Sequence, residues 1–587
     1  MIIQALYEYY QRKADDPNSN IPPEGFERKQ IPFLIVLDKQ GNLVRFEDTR
    51  ETGGGKNNGK PFLVPQGEKK TSGIKANLLW DSAEYVLGIT SKQRNNVQER
   101  HHAFIEKQSE MLSSIADKPQ VKAVMNFLNT FEAENYGKNH ADSVWDEIYE
   151  TNPNLTFKLQ GEAGSSITES LMSDLKELKT ASSDEFKFGR CMVTGEKGLI
   201  NRIHPAIKGV YGAQKAGAAL VSFQKQRGYD SYCKEQNFNA PISKTVTFAY
   251  TTALNLLLAK GSRNRLQIGD TSVVFWAQKS ESNFEKHFPS FFTTPKKERD
   301  NPDKDIEKLS NTFYSVLTGI PPEEKSSKFY ILGLAPNAAR ISVRFWHEAT
   351  VEEFANNIRQ HLMDLEIEGA RVDEPKPSLS YLLKSTVLDW KSDNVPPNLA
   401  GNMMRSVLNN QPYPVPMLHQ CIRRIRAEQK IYHIRAALLK AYLNRKERKS
   451  HNNLKKEIKV ALDKENTNVG YRLGRLFAAL EKIQEDASGG RSINSTIRER
   501  YYSSASSNPV TAFPQLLKLK NYHLAKIDNP AFKTVHEKRL AEIMGELPTS
   551  IPAHMNIEDQ ARFAIGYYHQ RQDFFKKNNV SEGENNE

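Results

Sequence analysis

The chain has 587 residues, of which 38% are hydrophobic and 26% charged, a composition typical of folded proteins rather than of disordered or fibrous ones. Its length predicts two or three domains. No apolar run approaches the roughly 18–20 residues that cross a bilayer, and the first residues lack the pattern of a secretion signal. The three cysteines, Cys191, Cys233 and Cys421, form no CxxC pair, which argues against a disulfide framework or a thiolate zinc site. We therefore expect a cytoplasmic protein without a membrane partner.

The net charge of +12 is concentrated in the last third of the chain. Residues 401–587 contain 31 Lys and Arg against 19 Asp and Glu, whereas the first 400 residues contain 51 of each kind. The excess is greatest in 421–540, with 26 basic residues against 11 acidic ones. A basic block in an otherwise neutral chain indicates a polyanionic partner, although a solvated lysine-rich surface has the same composition.

Short strands and turns are predicted near the start of the chain. Residues 31–38 form a strand, and 43–46 form its hairpin partner after a turn. A glycine-rich loop at 53–60 is followed by a strand at 62–64. The pattern then predicts mostly helix over 92–185, and short strands with glycine-rich turns from 186 to about 280.

The second half begins with a polar, proline-containing segment, about 279–328, that we interpret as an exposed excursion. A hairpin is predicted from 329–335 and 341–347, and Thr350 caps the helix that follows. Beyond a linker at 374–378 the chain is nearly all helical. Apolar stripes at helical spacing are Ile431, Ile434, Leu438 and Tyr442, and then Val469, Leu473, Leu476, Leu480 and Ile483.

These patterns predict an α+β protein. Residues 1–375 form a mixed N-terminal region with short antiparallel strands, and residues 376–587 form an all-α, basic helical bundle. In the bundle, Arg472, Arg475 and Lys482 share one helix face away from the apolar stripe, and Arg423, Arg426 and Lys430 share another. We expect these outer faces to line a nucleic-acid groove, with Tyr501 and Tyr502 nearby as aromatic platforms.

One segment resembles a phosphate-binding loop. Gly54-xxxx-Gly59-Lys60 matches most of the motif, but Pro61 replaces the Ser or Thr that holds Mg²⁺, and a strand follows where a helix is needed. We interpret it as a loop whose Lys56 and Lys60 touch a phosphate backbone. The histidines are scattered, and neither a metal-ligand spacing nor a Gly-x-Ser-x-Gly elbow occurs. We therefore expect no enzymatic activity and no cofactor.

The most unusual segment is HPAIKGVYGAQKAGAALVSF at 204–223, in which glycines and lysines precede what we predict to be an apolar strand. Glycines allow close backbone approach and lysines favour phosphate, but a tight turn packed under a sheet has the same pattern. Soon after it, amides and aromatics interleave at 232–239. That mixture suits base recognition, and it also suits an ordinary loop.

Several blocks along the chain resemble the large-subunit family of the type I-C CRISPR surveillance complex (Cascade). They are TSGIKANLLWD at 71–81, the 204–223 segment, KEQNFNAP at 234–241, GDTSVVFW at 269–276, PNLAG at 397–401, NTNVGYRLGRLF at 466–477 and TIRERYY at 496–502. They occur in family order over nearly the whole chain.

The resemblance implies a non-catalytic subunit of an RNA-guided antiviral complex. Its N-terminal region would lie near the 5′ end of the guide RNA, contact the backbone subunits and recognise the protospacer-adjacent motif (PAM) in double-stranded DNA. Its C-terminal bundle would resemble the small subunit and hold the displaced strand after the duplex opens. Cleavage would belong to a recruited helicase-nuclease.

Reading a short motif takes amide and cationic side chains, and holding a single strand takes basic faces. The residues predicted to contact the PAM or the duplex are Lys56, Lys60, Ser72, Lys75, Asn77, Lys208, Gln214, Asn237 and Asn239. The residues predicted to contact the displaced strand are Arg423, Arg426, Lys430, Arg472, Arg475, Lys482, Arg498 and Arg500.

Two other functions fit the charge pattern. A nuclease or NTPase with an atypical active site would show Mg²⁺-dependent turnover by the chain alone. A structural assembly protein would use its basic face for RNA only, and crosslinks to guide RNA and target DNA would distinguish it.

Overall fold

A computed structural model describes residues 1–50, 59–68, 73–92, 95–139, 143–162, 166–178, 186–225, 231–279, 282–293, 319–369, 377–396, 398–450, 457–489 and 495–575. The chain forms two compact units. The first contains residues 1–207 and 216–256, and the second contains 208–215 and 257–587. The boundary predicted at 375/376 falls inside the second unit. Strands in both units and a helical C-terminal region confirm the α+β fold class.

The first unit is a mixture of short strands and helices up to and including α9. In chain order its elements are α1 Ile2–Ala14, β1 Phe26–Ile31, β2 Phe33–Leu37, β3 Leu43–Asp48, β4 Lys60–Pro65, β5 Trp80–Ser82, α2 Ala83–Val86, α3 Val97–Met111, α4 Pro119–Thr130, α5 Ala133–Asn139, α6 Ser143–Thr151, β6 Asn154–Leu159, α7 Ile167–Ser170, α8 Met172–Glu177, β7 Phe186–Arg190, β8 Lys197–Asn201 and α9 Lys244–Leu257.

The core of the first unit is a four-stranded sheet with the order β3-β2-β6-β5. Every residue of β2 is buried, as expected for a central strand of sequence FLIVL. Strand β3 pairs with it antiparallel, which confirms the predicted hairpin, and β6 pairs with it parallel. Phe157 on β6 packs against Phe127 on α4, with ring centroids 6.0 Å apart. Strand β6 lies in the region that we predicted to be mostly helical.

The second unit combines a sheet with many helices. Its elements are β9 Arg265–Ile268, β10 Thr271–Ala277, α10 Asn283–Phe292, α11 Pro322–Lys325, β11 Lys328–Asn337, β12 Arg340–Thr350, α12 Val351–Leu365, α13 Leu379–Ser385, α14 Leu399–Leu408, α15 Val415–Glu428, α16 His433–Lys449, α17 Val469–Ala487, α18 Ile497–Ser507, α19 Pro509–Ala525, α20 Pro530–Gly545 and α21 Ile557–Asp573.

The sheet of the second unit is antiparallel, with the order β12-β11-β10-β9. The predicted hairpin is confirmed as β11 and β12, and Thr350 caps α12 by accepting a hydrogen bond from the backbone N–H of Glu353. Residues of one sheet face, such as Phe275 and Phe329, belong to the same buried cluster as the C-terminal helices. Sheet and helices therefore share one hydrophobic core in this unit.

The exposed excursion predicted at about 279–328 is wrong in its first part. Helix α10 buries Phe284, Phe288, Phe291 and Phe292. Four phenylalanines on one short helix bury enough apolar surface to fix it on the core, despite the polar residues between them. Residues 294–318 lie outside the described residues.

The C-terminal bundle is built around α16 and α17. The predicted stripe on α17 is confirmed, because Leu473, Leu476, Leu480 and Ile483 are all buried. Helix α16 is buried nearly all round. The predicted stripe included Ile431, but the helix starts at His433, so its apolar stripe begins at Ile434. None of the described helices is both long and apolar enough to span a membrane.

Candidate nucleic-acid interface

Four basic residues cluster where helix α15 meets α18. These are Arg423, Arg426, Lys430 and Arg500, and we name them the basic patch. The two helices are joined by Arg426, whose Nη2 donates to the carbonyl oxygen of Ser503 at 3.2 Å. They are also joined by Gln429 Nε2, which donates to the carbonyl oxygen of Glu499 at 2.7 Å. These bonds bring residues from distant parts of the bundle sequence onto one surface.

The charges of the basic patch are not neutralised by described carboxylates. Arg423 donates to Oε1 of Gln420 at 2.7 Å, and Arg500 Nε donates to Oγ of Ser495 at 2.8 Å. The ammonium of Lys430 lies 4.6 Å from the centroid of a tyrosine ring. Arg423, Lys430 and Arg500 are exposed and Arg426 is half-buried. Exposed cations with neutral partners are available to phosphate groups.

Arg475 lies inside the bundle, which corrects the expectation that it belongs to an outer face. Its side chain is 1% exposed, its Nη2 lies 2.9 Å from Oε1 of Glu542, and its Nε donates to Gln570 at 3.1 Å. Helices α20 and α21 cover this part of α17, so the polar face seen in the sequence faces other helices. A side chain buried in this way joins helices and does not reach a nucleic-acid strand.

Arg472 is also mostly covered. Its Nε donates to the carbonyl oxygen of Asn466 at 2.7 Å, and its guanidinium binds both the carbonyl oxygen and, at 3.2 Å, the carboxylate of Glu546. These contacts fix the start of α17 to the end of α20. The expected outer face on α17 is therefore wrong for Arg472 as well, for the same reason.

Two further predicted cations form ion pairs. Lys482 lies 2.6 Å from Asp486 one turn further along α17, and Arg498 lies 3.6 Å from Glu481. Glu481 is 1% exposed, burial raises its pKa, and Tyr567 donates a hydrogen bond to it. Both cations are partly exposed, but their charges are largely compensated within the bundle.

The aromatic platform expected at Tyr502 is a core residue instead. Its ring lies 5.9 Å from that of Phe477 and 5.6 Å from that of Phe563, and burial raises its pKa. Tyr501 packs partly buried against the same core. Sequence alone did not distinguish a stacking tyrosine from a core tyrosine, because both are aromatic residues on a helix.

In the first unit, Asn77 is buried and hydrogen-bonded to its neighbours in the protein. It is 4% exposed, its Oδ1 accepts from the backbone N–H of Glu68 at 2.9 Å, and its own N–H donates to Asp81 at 2.9 Å. Lys75 is half-buried nearby.

Lys60 is exposed at the start of β4, so a strand follows it where a phosphate-binding loop requires a helix. Lys56 and Ser72 lie outside the described residues.

The two predicted asparagines in the amide-rich segment contact the backbone around them. Asn237 is 3% exposed, and its Nδ2 donates to the carbonyl oxygen of Val221 at 3.3 Å. Asn239 Nδ2 donates to the carbonyl oxygens of Lys234 and Gln236 at 2.8 and 3.0 Å. In this conformation the Asn239 amide stabilises the local turn, and the Asn237 amide joins this segment to the backbone at Val221.

The glycine-lysine segment forms an exposed turn at 208–215, which belongs to the second unit. Lys208, Gln214 and Lys215 are exposed, and so is Tyr211, with 60% of its side chain accessible. The predicted apolar strand after this turn is wrong, since the described residues 219–225 form no strand. We did not single out Tyr211 from the sequence, although an aromatic residue between lysines and glycines was visible there.

The backbone of the turn is well fixed. Tyr211 N–H donates to Oγ of Ser272 at 2.9 Å, and Gly209 has a φ of +88° in which a Cβ would meet the carbonyl oxygen of Leu258 at 2.7 Å. Glycine is therefore required there. No Asp or Glu occurs between residues 204 and 229, whereas Lys208, Lys215, Lys225 and Arg227 do. The turn thus presents an exposed aromatic ring, an amide and lysines at fixed positions.

A protein-family model described as CRISPR-associated protein (Cas_Csd1) matches residues 6–575. The chain belongs to this family. The resemblance to the type I-C large subunit is thereby confirmed over nearly the whole chain. No curated protein matches the chain.

As a Cas_Csd1 member, the chain is a CRISPR-associated large subunit, and such complexes contain nucleic acid. The two exposed basic surfaces described above are the basic patch and the turn at 208–215. Among the described residues, no group of three His, Cys, Asp or Glu side chains is arranged to hold a metal ion.

Proposed function

We propose that this chain is a non-catalytic DNA-recognition subunit of an RNA-guided type I-C antiviral complex. It recognises the PAM in double-stranded DNA, promotes duplex opening and stabilises the displaced non-target strand. A separate helicase-nuclease, which the chain helps to recruit, then cuts the DNA. Its partners are the guide RNA, the target DNA, the backbone and guide-5′-end subunits, and the small subunit.

The observation that carries this proposal is the contrast between two sets of cations in the bundle. Arg472, Arg475 and Lys482 are held by acidic residues, whereas the basic patch is not. Cations without acidic partners repel one another and lower stability unless an anion is bound. Base pairing to the guide supplies sequence specificity in such complexes, and a displaced strand requires a basic surface of this kind.

The turn at 208–215 supports duplex recognition in a different way. A few side chains fixed at a groove edge suffice to read a short motif, and Gln214 has the donor and acceptor needed for a base edge. Lys208 and Lys215 supply phosphate contacts that position it. The buried Asn77 and Asn237 are less suited to this role, because their amides already bind the protein backbone.

The test uses complexes assembled with and without the chain. Each is mixed with a duplex library that matches the guide but has randomised flanking positions, and bound DNA is sequenced. We expect a short flanking motif to be enriched only when the chain is present. Equal enrichment without the chain would contradict the proposal. Mg²⁺-dependent cleavage or nucleotide hydrolysis by the purified chain alone would favour the nuclease or NTPase instead.

A further inference from the structure

The hairpin of β7 and β8 in the first unit has two different faces. The strands pair antiparallel, with Phe188 opposite Leu199, Arg190 opposite Lys197, and Lys187 opposite Ile200. Because side chains alternate along a strand, the first two pairs lie on one face and the third pair lies on the other. We name the face with Phe188, Leu199, Arg190 and Lys197 the outer hairpin face.

The opposite face anchors the hairpin to the unit. Ile200 is 2% exposed and forms a β-bridge with Ser243, and a Cβ at Gly189 would lie 3.2 Å from its Cγ1. The ammonium of Lys187 lies 4.9 Å from the centroid of the Phe238 ring. The turn is closed by Cys191 N–H, which donates to the carbonyl oxygen of Glu196 at 2.8 Å. The hairpin is therefore held in place from one side.

The outer hairpin face has features that folding alone does not explain. Phe188 is 74% exposed and its partner Leu199 is 47% exposed. Single exposed apolar residues are common, but here an aromatic and an aliphatic side chain face each other across two strands. Arg190 and Lys197 are also exposed and directly opposite, and like charges in that arrangement destabilise a sheet. A bound anion would remove that cost.

The nearest acidic residue in the sequence does not neutralise this pair. Glu196 lies in the turn, and neither Arg190 nor Lys197 forms an ion pair with it or with any other described carboxylate. Arg190 instead donates to the carbonyl oxygen of Gly195 at 2.6 Å.

We infer that the outer hairpin face binds an unpaired nucleic-acid strand, with a base stacked on Phe188 and a phosphate held by Arg190 and Lys197. Residues two apart on a strand are separated by about 6.6 Å, which is comparable to the distance between the base and the phosphate of one nucleotide. Exposed aromatic rings beside cations are the usual means of binding single strands without sequence preference. The inference rests on the proposed function and adds a second strand-binding surface, distinct from the basic patch.

The test measures binding of the purified full-length chain to fluorescein-labelled oligo(dT) and oligo(U), each about 20 nucleotides long so that it spans a typical single-strand site. Fluorescence anisotropy is followed from about 50 to 200 mM salt, the range over which phosphate contacts weaken. The variants are Phe188→Ala, Phe188→Trp and the double variant R190Q/K197Q. The controls are Phe532→Ala, another exposed phenylalanine, on α20, and R45Q/K118Q, in which both cations have acidic partners.

We expect Phe188→Ala to weaken binding about 5- to 150-fold and Phe188→Trp to retain it. The double variant should reduce the slope of log affinity against log salt by about 0.7, the contribution of one neutralised phosphate on a single strand, because both cations hold the same phosphate. Neither change should lower the melting temperature, because these side chains are exposed. If the hairpin variants bind only oligo(dT) more weakly, the strand is DNA. If they bind only oligo(U) more weakly, it is RNA.

The possible failures are distinguishable. If the chain binds both oligonucleotides and the hairpin variants bind them equally well, the inference is wrong and the proposed function stands. If hairpin variants keep this binding but no longer join the complex, the face contacts a protein and the inference is also wrong. If the unmodified chain binds neither single strands nor duplex at the lowest salt concentration, the proposed function itself fails.

Discussion

Gly474 of α17 and Gly566 of α21 each lie against the backbone of the other's helix. A Cβ at Gly474 would stand 2.0 Å from the carbonyl oxygen of Phe563, and a Cβ at Gly566 would stand 2.0 Å from that of Tyr471. Glycines let two helices approach until their backbones touch. This close contact sets the position of α21, and through it the burial of Arg475.

We expect Gly474→Ala to lower the free energy of unfolding by about 1–3 kcal/mol, because an added methyl group forces the two helices apart. Urea denaturation of the full chain measures the effect. Gly545→Ala, at the open end of α20 with no atom within 4 Å of the new Cβ, is the control and should be neutral or slightly stabilising. Equal effects of the two substitutions would contradict the close packing.

Arg475→Ala should also destabilise the bundle, by about 2–3 kcal/mol. The substitution removes hydrogen bonds to Glu542 and Gln570 and leaves the latter buried with an unpaired acceptor. Urea denaturation again measures the effect, and oligo(dT) affinity should fall only in proportion to the unfolded fraction. A weaker affinity at full stability would show that Arg475 contacts the strand after all.

Substitutions in the basic patch should do the opposite of Arg475→Ala: they should weaken strand binding without destabilising the bundle. The triple variant R423Q/K430Q/R500Q should keep or slightly increase the stability of the free chain, because it removes charges of the same sign. It should also reduce the salt dependence of single-strand binding, by about 0.7 in slope for each phosphate that the variant no longer neutralises. The matched control is K459Q/K464Q, whose exposed lysines are paired with Asp463 and Glu542. In the assembled complex, permanganate reactivity of displaced-strand thymines should rise for the triple variant alone. Unchanged reactivity would show that the basic patch does not contact the displaced strand.

Substitutions of Asn77 and Gln214 should have different effects, the first on stability and the second on the selected flanking motif. Asn77→Ala leaves the backbone N–H of Glu68 without its acceptor, so we expect the free energy of unfolding to fall by about 1–3 kcal/mol and target binding to weaken uniformly. Gln214 is exposed, and Gln214→Ala should leave stability unchanged while altering the flanking motif selected from a randomised duplex library. A changed motif for Asn77→Ala, or an unchanged one for Gln214→Ala, would reverse these assignments.

Much of the fold follows from local patterns in the sequence. The hairpin of β2 and β3, the Thr350 cap and the apolar stripe on α17 depend on alternation, capping and helical spacing, which are all visible within a few residues. Helix α9 and strand β6 were not predicted. Helix α9 is rich in threonine, which favours strands, yet Thr251 Oγ1 donates back to the carbonyl oxygen of Thr247 and the helix is largely buried. Tertiary packing therefore overrode the local preference in α9. In β6, by contrast, Leu155, Phe157 and Leu159 alternate with other residues as in an ordinary strand, but the run is short and lies between helices.

The candidate site was harder to predict than the fold. Arginine spacing identified the shared faces on α15 and α17, but only the packing of α20 and α21 shows that the α17 face is internal. In the same way, nothing local distinguishes the buried Asn77 from the exposed Gln214. The exposure of a side chain depends on neighbours that are distant in sequence, and the pattern of a single sequence does not show which residues these are.

The stability of the second unit should depend on pH through two buried histidines. Burial, and then the charge of Arg445, lower the pKa of His361 to about 3, and burial with Arg405 lowers that of His347 to about 4. His361 Nδ1 lies 2.5 Å from the hydroxyl of Tyr413, which also faces Arg445. Both folded-state pKa values lie below the value of about 6.5 in the unfolded chain.

Because the unfolded state binds protons first as pH falls, the stability from these residues is complete above about pH 6.5 and decreases below it. Each histidine contributes about 1.4 kcal/mol per pH unit until the pH nears its folded-state pKa. His361→Gln, which can keep a hydrogen bond to Tyr413, should therefore lower the slope of unfolding free energy against pH by that amount between about pH 5.5 and 4. Urea denaturation at several pH values measures the slope, with the exposed His102→Gln as control. Equal slopes in the two variants would show that His361 does not carry this dependence.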